Sequence, residues 1–82
     1  MGELADRMRQ DLILRNYSPK TVPQYLACAR KFAAFYHRSP AEMGETEVRA
    51  YLQHLLEDGR IANSVRVTVA ALKFLYRKTL DR

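Results

Sequence analysis

Residues 16–37 read NYSPKTVPQYLACARKFAAFYH, and this stretch decides the fold. Ser18-Pro19 is a helix start, because a serine oxygen caps free amides and proline suits the first helical position. From that cap Val22, Tyr25, Leu26, Ala29, Phe32, Ala33 and Tyr36 recur at helical spacing. They share one face of a helix that ends at about Tyr36 or His37. Pro23 falls within the first turn, where its missing amide costs little.

Upstream of that helix, Leu4, Ala5, Met8 and Leu12 form one apolar stripe and place a first helix at about residues 3–15, broken by Asn16-Tyr17. Downstream, Ser39-Pro40 stops the second helix and opens a short turn. Gly44 precedes a third helix, about residues 45–58, whose Val48, Tyr51, Leu52, Leu55 and Leu56 are expected to point inward together. Gly59 supplies the left-handed residue that commonly ends a helix. A fourth helix runs from about Asn63 to Thr79, with Val65, Val69, Leu72, Tyr76 and Leu80 as its core stripe. Its β-branched start (Val65, Val67, Thr68, Val69) runs on into AALKFLYRK, whose period and composition are helical. The expected fold is all-α, a four-helix bundle.

The chain of 82 residues makes one domain, with 48% apolar and 28% charged residues, so a packed core is expected and disorder is not. A chain of this size buries roughly 60–65% of its unfolded surface, enough for one thin core. No apolar run approaches the roughly 20 residues of a membrane span, and the N-terminal residues carry no signal-peptide core. The lone Cys28 excludes an internal disulfide framework and fits a reducing, cytosolic compartment.

The net charge of +5 is unevenly spread. Residues 12–41 hold no acid, with Arg15, Lys20, Arg30, Lys31 and Arg38 as cations. Residues 42–58 hold Glu42, Glu45, Glu47, Glu57 and Asp58 against Arg49 alone. Residues 59–80 are again free of acids, with Arg60, Arg66, Lys73, Arg77 and Lys78. A polyanion is the natural partner of such a two-sided chain, although a small basic protein can show the pattern by chance. At about 100° per residue, Lys20, Gln24, Lys31 and Arg38 form one ridge on helix two, opposite its apolar stripe. Arg66, Lys73 and Arg77 form another on helix four. Both ridges can track a phosphate backbone, and both helix starts (Lys20 and Thr21, Asn63 and Ser64) favour an anion. Either these are the solvated faces that soluble helices need, or they bind nucleic acid. Two acid-free ridges with an acidic helix between them favour the second reading.

Helix four carries a second apolar strip, Val67, Ala70, Ala71 and Phe74, on the side away from its core stripe. It is either buried centrally or a contact for a partner or another domain, with Val67 and Phe74 as the contact residues. Phe35 on helix two belongs to the same kind of surface. Catalysis finds no support in this chain. His37 and His54 have no carboxylate or cysteine partners at ligand spacing, so no metal is expected. Cys28 lies among small residues without a histidine arrangement to activate it. No glycine loop cradles a phosphate, and no cofactor is expected.

The run Leu14-Arg15-Asn16-Tyr17-Ser18-Pro19-Lys20-Thr21, followed by Tyr25 and Phe32, resembles the N-terminal core-binding domain of tyrosine recombinases, the phage-integrase family. The similarity continues through Val48-Arg49-Ala50-Tyr51-Leu52 into Asn63-Ser64-Val65 and Leu72-Lys73-Phe74-Leu75-Tyr76, covering about residues 4 to 80. The resemblance implies a SAM-like four-helix bundle that grips one face of a DNA duplex while a C-terminal catalytic domain grips the other. It implies that Lys20, Thr21 and Gln24 meet double-stranded DNA from helix two, and Asn63, Ser64 and Arg66 from the start of helix four. The family usually caps that helix with Ser or Thr, and Asn63 is expected to take the place of the cap here. The family's two arginines, lysine, further histidine positions and nucleophilic tyrosine belong to the catalytic domain, outside residues 1–82. The expectation is a single core-binding domain over 1–82, itself not an enzyme, either cut at the interdomain linker or naturally truncated. Its implied partners are DNA, the parent's catalytic domain and other recombinase protomers of a synaptic complex, in a bacterial cytoplasm and not on a membrane. The alternative is a helical protein-interaction module docking a partner through helix four. A small transcription regulator is opposed by the lack of a short helix–turn–helix with a glycine turn.

Overall fold

The helix start at Ser18 forms as the sequence requires. In the computed structural model, which describes residues 1–60 and 62–82, Ser18 Oγ accepts from the Thr21 amide at 3.1 Å, and the Ser18 carbonyl accepts from Val22 N at 3.1 Å. Pro19 and Lys20 fill the turn between them, and α2 follows over Thr21–Tyr36. The other helices are α1 (Gly2–Leu14), α3 (Glu45–Glu57) and α4 (Ala62–Phe74). Among the described residues there is no strand, so the fold is an all-α four-helix bundle. α3 opens on Gly44, whose amide donates to Glu47 Oε1 at 2.7 Å. The intervening 3-10 turn, Pro40–Glu42, is capped by Ser39, whose Oγ accepts from Ala41 N at 3.3 Å. The residue before Ala62 lies outside the described residues; Asn63, expected to cap this helix, sits inside the first turn of α4.

Three helices end in the same way. Asn16, His37 and Gly59 take left-handed φ values of 63°, 53° and 80°. After each, the next amide reaches back five residues, from Tyr17 to the Leu12 carbonyl, Arg38 to Ala33 and Arg60 to Leu55, at 3.1 to 3.2 Å. This satisfies carbonyls that a helix terminus otherwise leaves open. Gly59 adopts that conformation without steric cost, whereas His37 does so against its Cβ.

The core forms where α2 and α4 pack together, with α1 covering α2 and α3 covering α4. Phe32 is fully buried at its centre, edge-on to Tyr36, Tyr51 and Tyr76 with centroids 5.6, 5.3 and 6.4 Å away. Met8, Leu12, Ala29, Ala71, Leu72 and Leu75 close around it. A second aromatic group joins Tyr17, at the end of α1, to Tyr25 and Phe74 at 5.5 and 5.4 Å. Leu56, expected to point inward, is 58% exposed, because it lies about 100° round α3 from Leu55 and beyond the reach of α4. Cys28 is half-buried with its sulfur 3.7 Å from the Thr68 hydroxyl.

α4 does not run on as an α-helix to Thr79. After Phe74 it widens into a π-helical turn, Leu75–Thr79, in which Leu80 N donates to the carbonyl five residues back, Leu75 O, at 2.9 Å. The wider turn advances each residue by less than the α-helical 100°. Continued as an α-helix, Lys78 would swing beside the fully buried Ala71 and Leu80 would swing outward. The π turn keeps Lys78 in solvent and Leu80 against the core. Two buried threonines differ here: Thr68 donates its hydroxyl to the carbonyl four residues back, Ser64 O, at 3.1 Å, whereas Thr79 Oγ1, within the π turn, is buried without a partner. Side-chain ties hold this end in place. Tyr76 OH donates to Pro40 O at 2.7 Å, Arg7 to Thr79 O at 2.8 Å, and Arg82 to Met43 O at 2.7 Å and to Ala41 O.

Candidate nucleic-acid interface

Of the four helices α4 has the least open surface. Val65, Thr68, Ala71, Leu72 and Phe74 are buried, and Val67, Val69 and Ala70 are half-buried. Beyond Ala62 and Ser64 at its start, what remains exposed is a strip roughly 100° wide that carries Asn63, Arg66 and Lys73 and continues to Arg77 in the π turn. Expected members of the site thus come together here with one exception. Ser64 lies roughly 160° round the helix from Arg66, and its carbonyl takes the Thr68 hydroxyl, so it stands apart from the strip.

Lys20, just before α2, and Gln24 and Lys31 on it are exposed along the side opposite Leu26, Ala29 and Ala33. Arg38, expected on the same ridge, is exposed but lies beyond the left-handed His37 that ends α2, so the helical register does not carry to it. Arg38 is partly committed, donating to the Glu42 carbonyl at 2.8 Å. Thr21 stands about 100° from that ridge, half-buried, with its hydroxyl accepting from Ser18 Oγ at 2.9 Å. It builds the start of the helix that presents Lys20.

Ion pairs do not neutralise these cations. The salt bridges among the described residues join Arg15 to Asp11, Arg49 to Glu45 and Arg60 to Asp58, at 3.8 to 3.9 Å. Lys20, Lys31, Arg66, Lys73 and Arg77 form none. Pairs this long and exposed contribute about 0–1 kcal/mol, so even the paired arginines keep most of their charge available. The sequence-level reading overlooked two cations. Arg49 of α3 and Arg82 line a groove of about 540 Å³ between α3 and α4, together with Lys73 and Arg77. Arg49 was hidden because it stands in the acidic segment; its place on the α4-facing edge of α3 is set by packing.

Phe74 requires a correction. It is 6% exposed, wedged against Tyr17 and Tyr25, with the Arg15 guanidinium 5.7 Å over its ring. Of the second apolar strip of α4, Ala71 and Phe74 are thus inside the bundle, where α2 and the end of α1 close over Phe74, while Val67 and Ala70 are half-buried. Phe35 stays 44% exposed, against Tyr51 at 5.2 Å and His54 at 4.8 Å.

Burial pushes the Tyr25, Tyr51 and Tyr76 phenols above their ordinary value, with Arg82 pulling Tyr76 back in part. Among the described residues no three of His, Cys, Asp and Glu gather as a metal site. No helix is long and apolar enough to cross a membrane. The arrangement offers two exposed cationic ridges on rigid helices, which suits a phosphate backbone.

The comparisons with known proteins agree with this architecture. The family described as phage integrase, N-terminal SAM-like domain, matches residues 4–82. A protein of Sinorhizobium fredii named integrase/recombinase y4qK is 34% identical over 83 residues, covering 100% of this chain and 27% of that protein. Proteins named integrase/recombinase in Escherichia coli and Pseudomonas aeruginosa are each 34% identical over 80 residues, 95% of this chain and 24% of theirs. The chain thus spans about a quarter of the length of the curated relatives it matches. No solved structure gives a significant match. With its four helices, its Ser18-Pro19 start and its match from residue 4 to residue 82, this chain belongs to the phage-integrase family, as an N-terminal SAM-like domain.

Proposed function

We propose that these residues are the DNA-binding, N-terminal half of a clamp that a site-specific tyrosine recombinase closes around its target duplex. The observation that carries this reading is the exposed strip of α4. Apart from Ala62 and Ser64 at its start, the most buried helix of the bundle leaves one narrow face to solvent, and that face holds Asn63, Arg66 and Lys73, continued by Arg77 of the π turn, with no acid and no ion pair among the described residues. A central helix with such a strip fits a major groove, and the ridge of Lys20, Gln24 and Lys31 on α2 supplies further phosphate contacts. Most contacts go to phosphates and position the domain, with base reading confined to residues such as Asn63 and Arg66.

Cutting and rejoining of strands belong to the catalytic domain of the parent, in a bacterial cytoplasm and in concert with other recombinase protomers. Membership of a family whose relatives are named integrase/recombinase supports that role in integration and recombination. The rival reading, docking of a protein partner on α4, loses its principal anchor with the burial of Phe74. The test is fluorescence anisotropy with a duplex of about 30 base pairs at low and moderate salt. Lys20→Ala and Arg66→Ala are each expected to weaken binding several-fold, to lower the salt slope by about one, and to leave Tm unchanged. Binding equal to the unsubstituted chain in both variants would overturn the assignment.

A further inference from the structure

We propose that the groove between α3 and α4 holds a phosphate of the DNA backbone, and that Arg49, on the otherwise acidic α3, is one of its contacts. The inference rests on the DNA-binding reading above and extends it to a helix whose net charge argues against contact. The groove is lined by Arg49, Lys73, Arg77 and Arg82, and Glu45 is the one carboxylate on its rim. Its floor is apolar, built from Val48, Leu52, Val69 and Leu72. A concave surface with four cations to one carboxylate over a low-dielectric floor focuses a positive field into the groove and concentrates anions there. Lys73, Arg77 and Arg82 come from the last ten residues and Arg49 from α3, so it is the packing of α3 against α4 that brings the fourth cation to the other three.

One of these cations is immobilised before any ligand arrives. Arg82 donates to Met43 O and Ala41 O and lies 5.6 Å over the Tyr76 ring, which fixes its charge at one end of the groove. Lys73 stands on the rigid, largely buried α4. Arg49 is held only by Glu45 at 3.9 Å, with side chains 79% and 85% exposed, so it can turn towards a phosphate at little cost. Glu45 opposes the anion, so the two residues make opposite predictions.

The experiment is duplex binding by anisotropy across a salt series, with Arg49→Gln, Glu45→Gln and, as a control for net charge, Arg60→Gln, whose arginine lines no part of the groove. Arg49→Gln is expected to weaken binding three- to tenfold and to reduce the salt slope by about 0.9, the value of one phosphate contact. Glu45→Gln is expected to tighten it at least twofold, and Arg60→Gln to change it less than twofold. Arg49→Gln binding as the unsubstituted chain does, or no more weakly than Arg60→Gln, would overturn the groove. If Lys20→Ala and Arg66→Ala weaken binding in that same series, the groove alone has failed and the DNA-binding reading stands. If they also bind unchanged, the reading beneath it has failed as well.

Discussion

α3 and α4 have 13 residues each and pack against one another, yet they spend their surfaces in opposite ways. α3 buries Tyr51 and Leu55, half-buries Val48 and Leu52, and leaves Leu56 in water. Its Glu45 and Glu47 sit in the first turn, where the positive end of the helix dipole favours them. α4 buries five residues, and its open strip carries no acid. The contrast teaches that charge on a lid helix such as α3 has local work to do, at its own ends. Charge on a central helix has little local purpose. Exposed positions there are scarce, and a row of cations confined to them points to something outside the bundle.

The largest test of this contrast is in the core. Leu72→Ala on α4 removes a side chain that is 1% exposed and is expected to cost about 3–4 kcal/mol. Leu52→Ala on α3 removes a half-buried one and is expected to cost about 1 kcal/mol. Urea unfolding followed by circular dichroism measures both, and equal losses would show that α4 is no more central than α3. The open face of α4 comes next. Lys73→Ala and Arg77→Ala are each expected to reduce duplex affinity several-fold and to lower the salt slope by about one, with Tm unchanged. A fall in Tm as large as that of a core variant would mean that the strip stabilises the fold.

Helix ends sharpen the comparison further. Gly59→Ala forces a left-handed φ of 80° on a residue with a Cβ that meets no neighbour, so its cost is backbone strain alone, about 1 kcal/mol. His37→Gly relieves the same strain at the end of α2 and is expected to gain about 0.5–1 kcal/mol in thermal unfolding. The smallest effect is on pH. Burial raises the Tyr51 and Tyr76 phenols above an unfolded value near 10, so the fold favours their neutral form. Their contribution is complete below about pH 10 and is lost as pH rises through the folded values. Tyr76→Phe should flatten that alkaline loss in a Tm-against-pH series, since it removes both the ionising group and its bond to Pro40 O.

Much of this was legible in the chain because helices report themselves locally. The Ser18-Pro19 start, the Gly59 end and the stripes of α1, α2 and α4 all depend on residues within a few positions of one another. The helix starts and ends read from sequence agree with the structure to about one residue at α1 and α3 and at the end of α2, whose start lies two residues beyond Pro19, at Thr21. The exceptions are equally local in cause. The left-handed end at His37 was not legible, because a histidine there gives no glycine-like signal. The π turn was not legible either, since LYRKT has an ordinary helical composition. It forms because Leu80 has to reach the core while Lys78 stays out of it. At the interface, the ridges of α2 and α4 and the angle that sets Ser64 apart from Arg66 follow from spacing alone, whereas the burial of Phe74 and the place of Arg49 beside the α3–α4 groove do not.

The sequence by itself determined that this is a four-helix bundle with two acid-free cationic ridges, because helix signals and angular positions along one helix are short-range properties. Only the tertiary structure decided which of those faces stay open. Phe74 disappears under Tyr17 and Tyr25, and Arg49 joins Lys73, Arg77 and Arg82 across the α3–α4 groove. Exposure and charge clustering depend on how helices distant in sequence are packed together, and no local pattern records that.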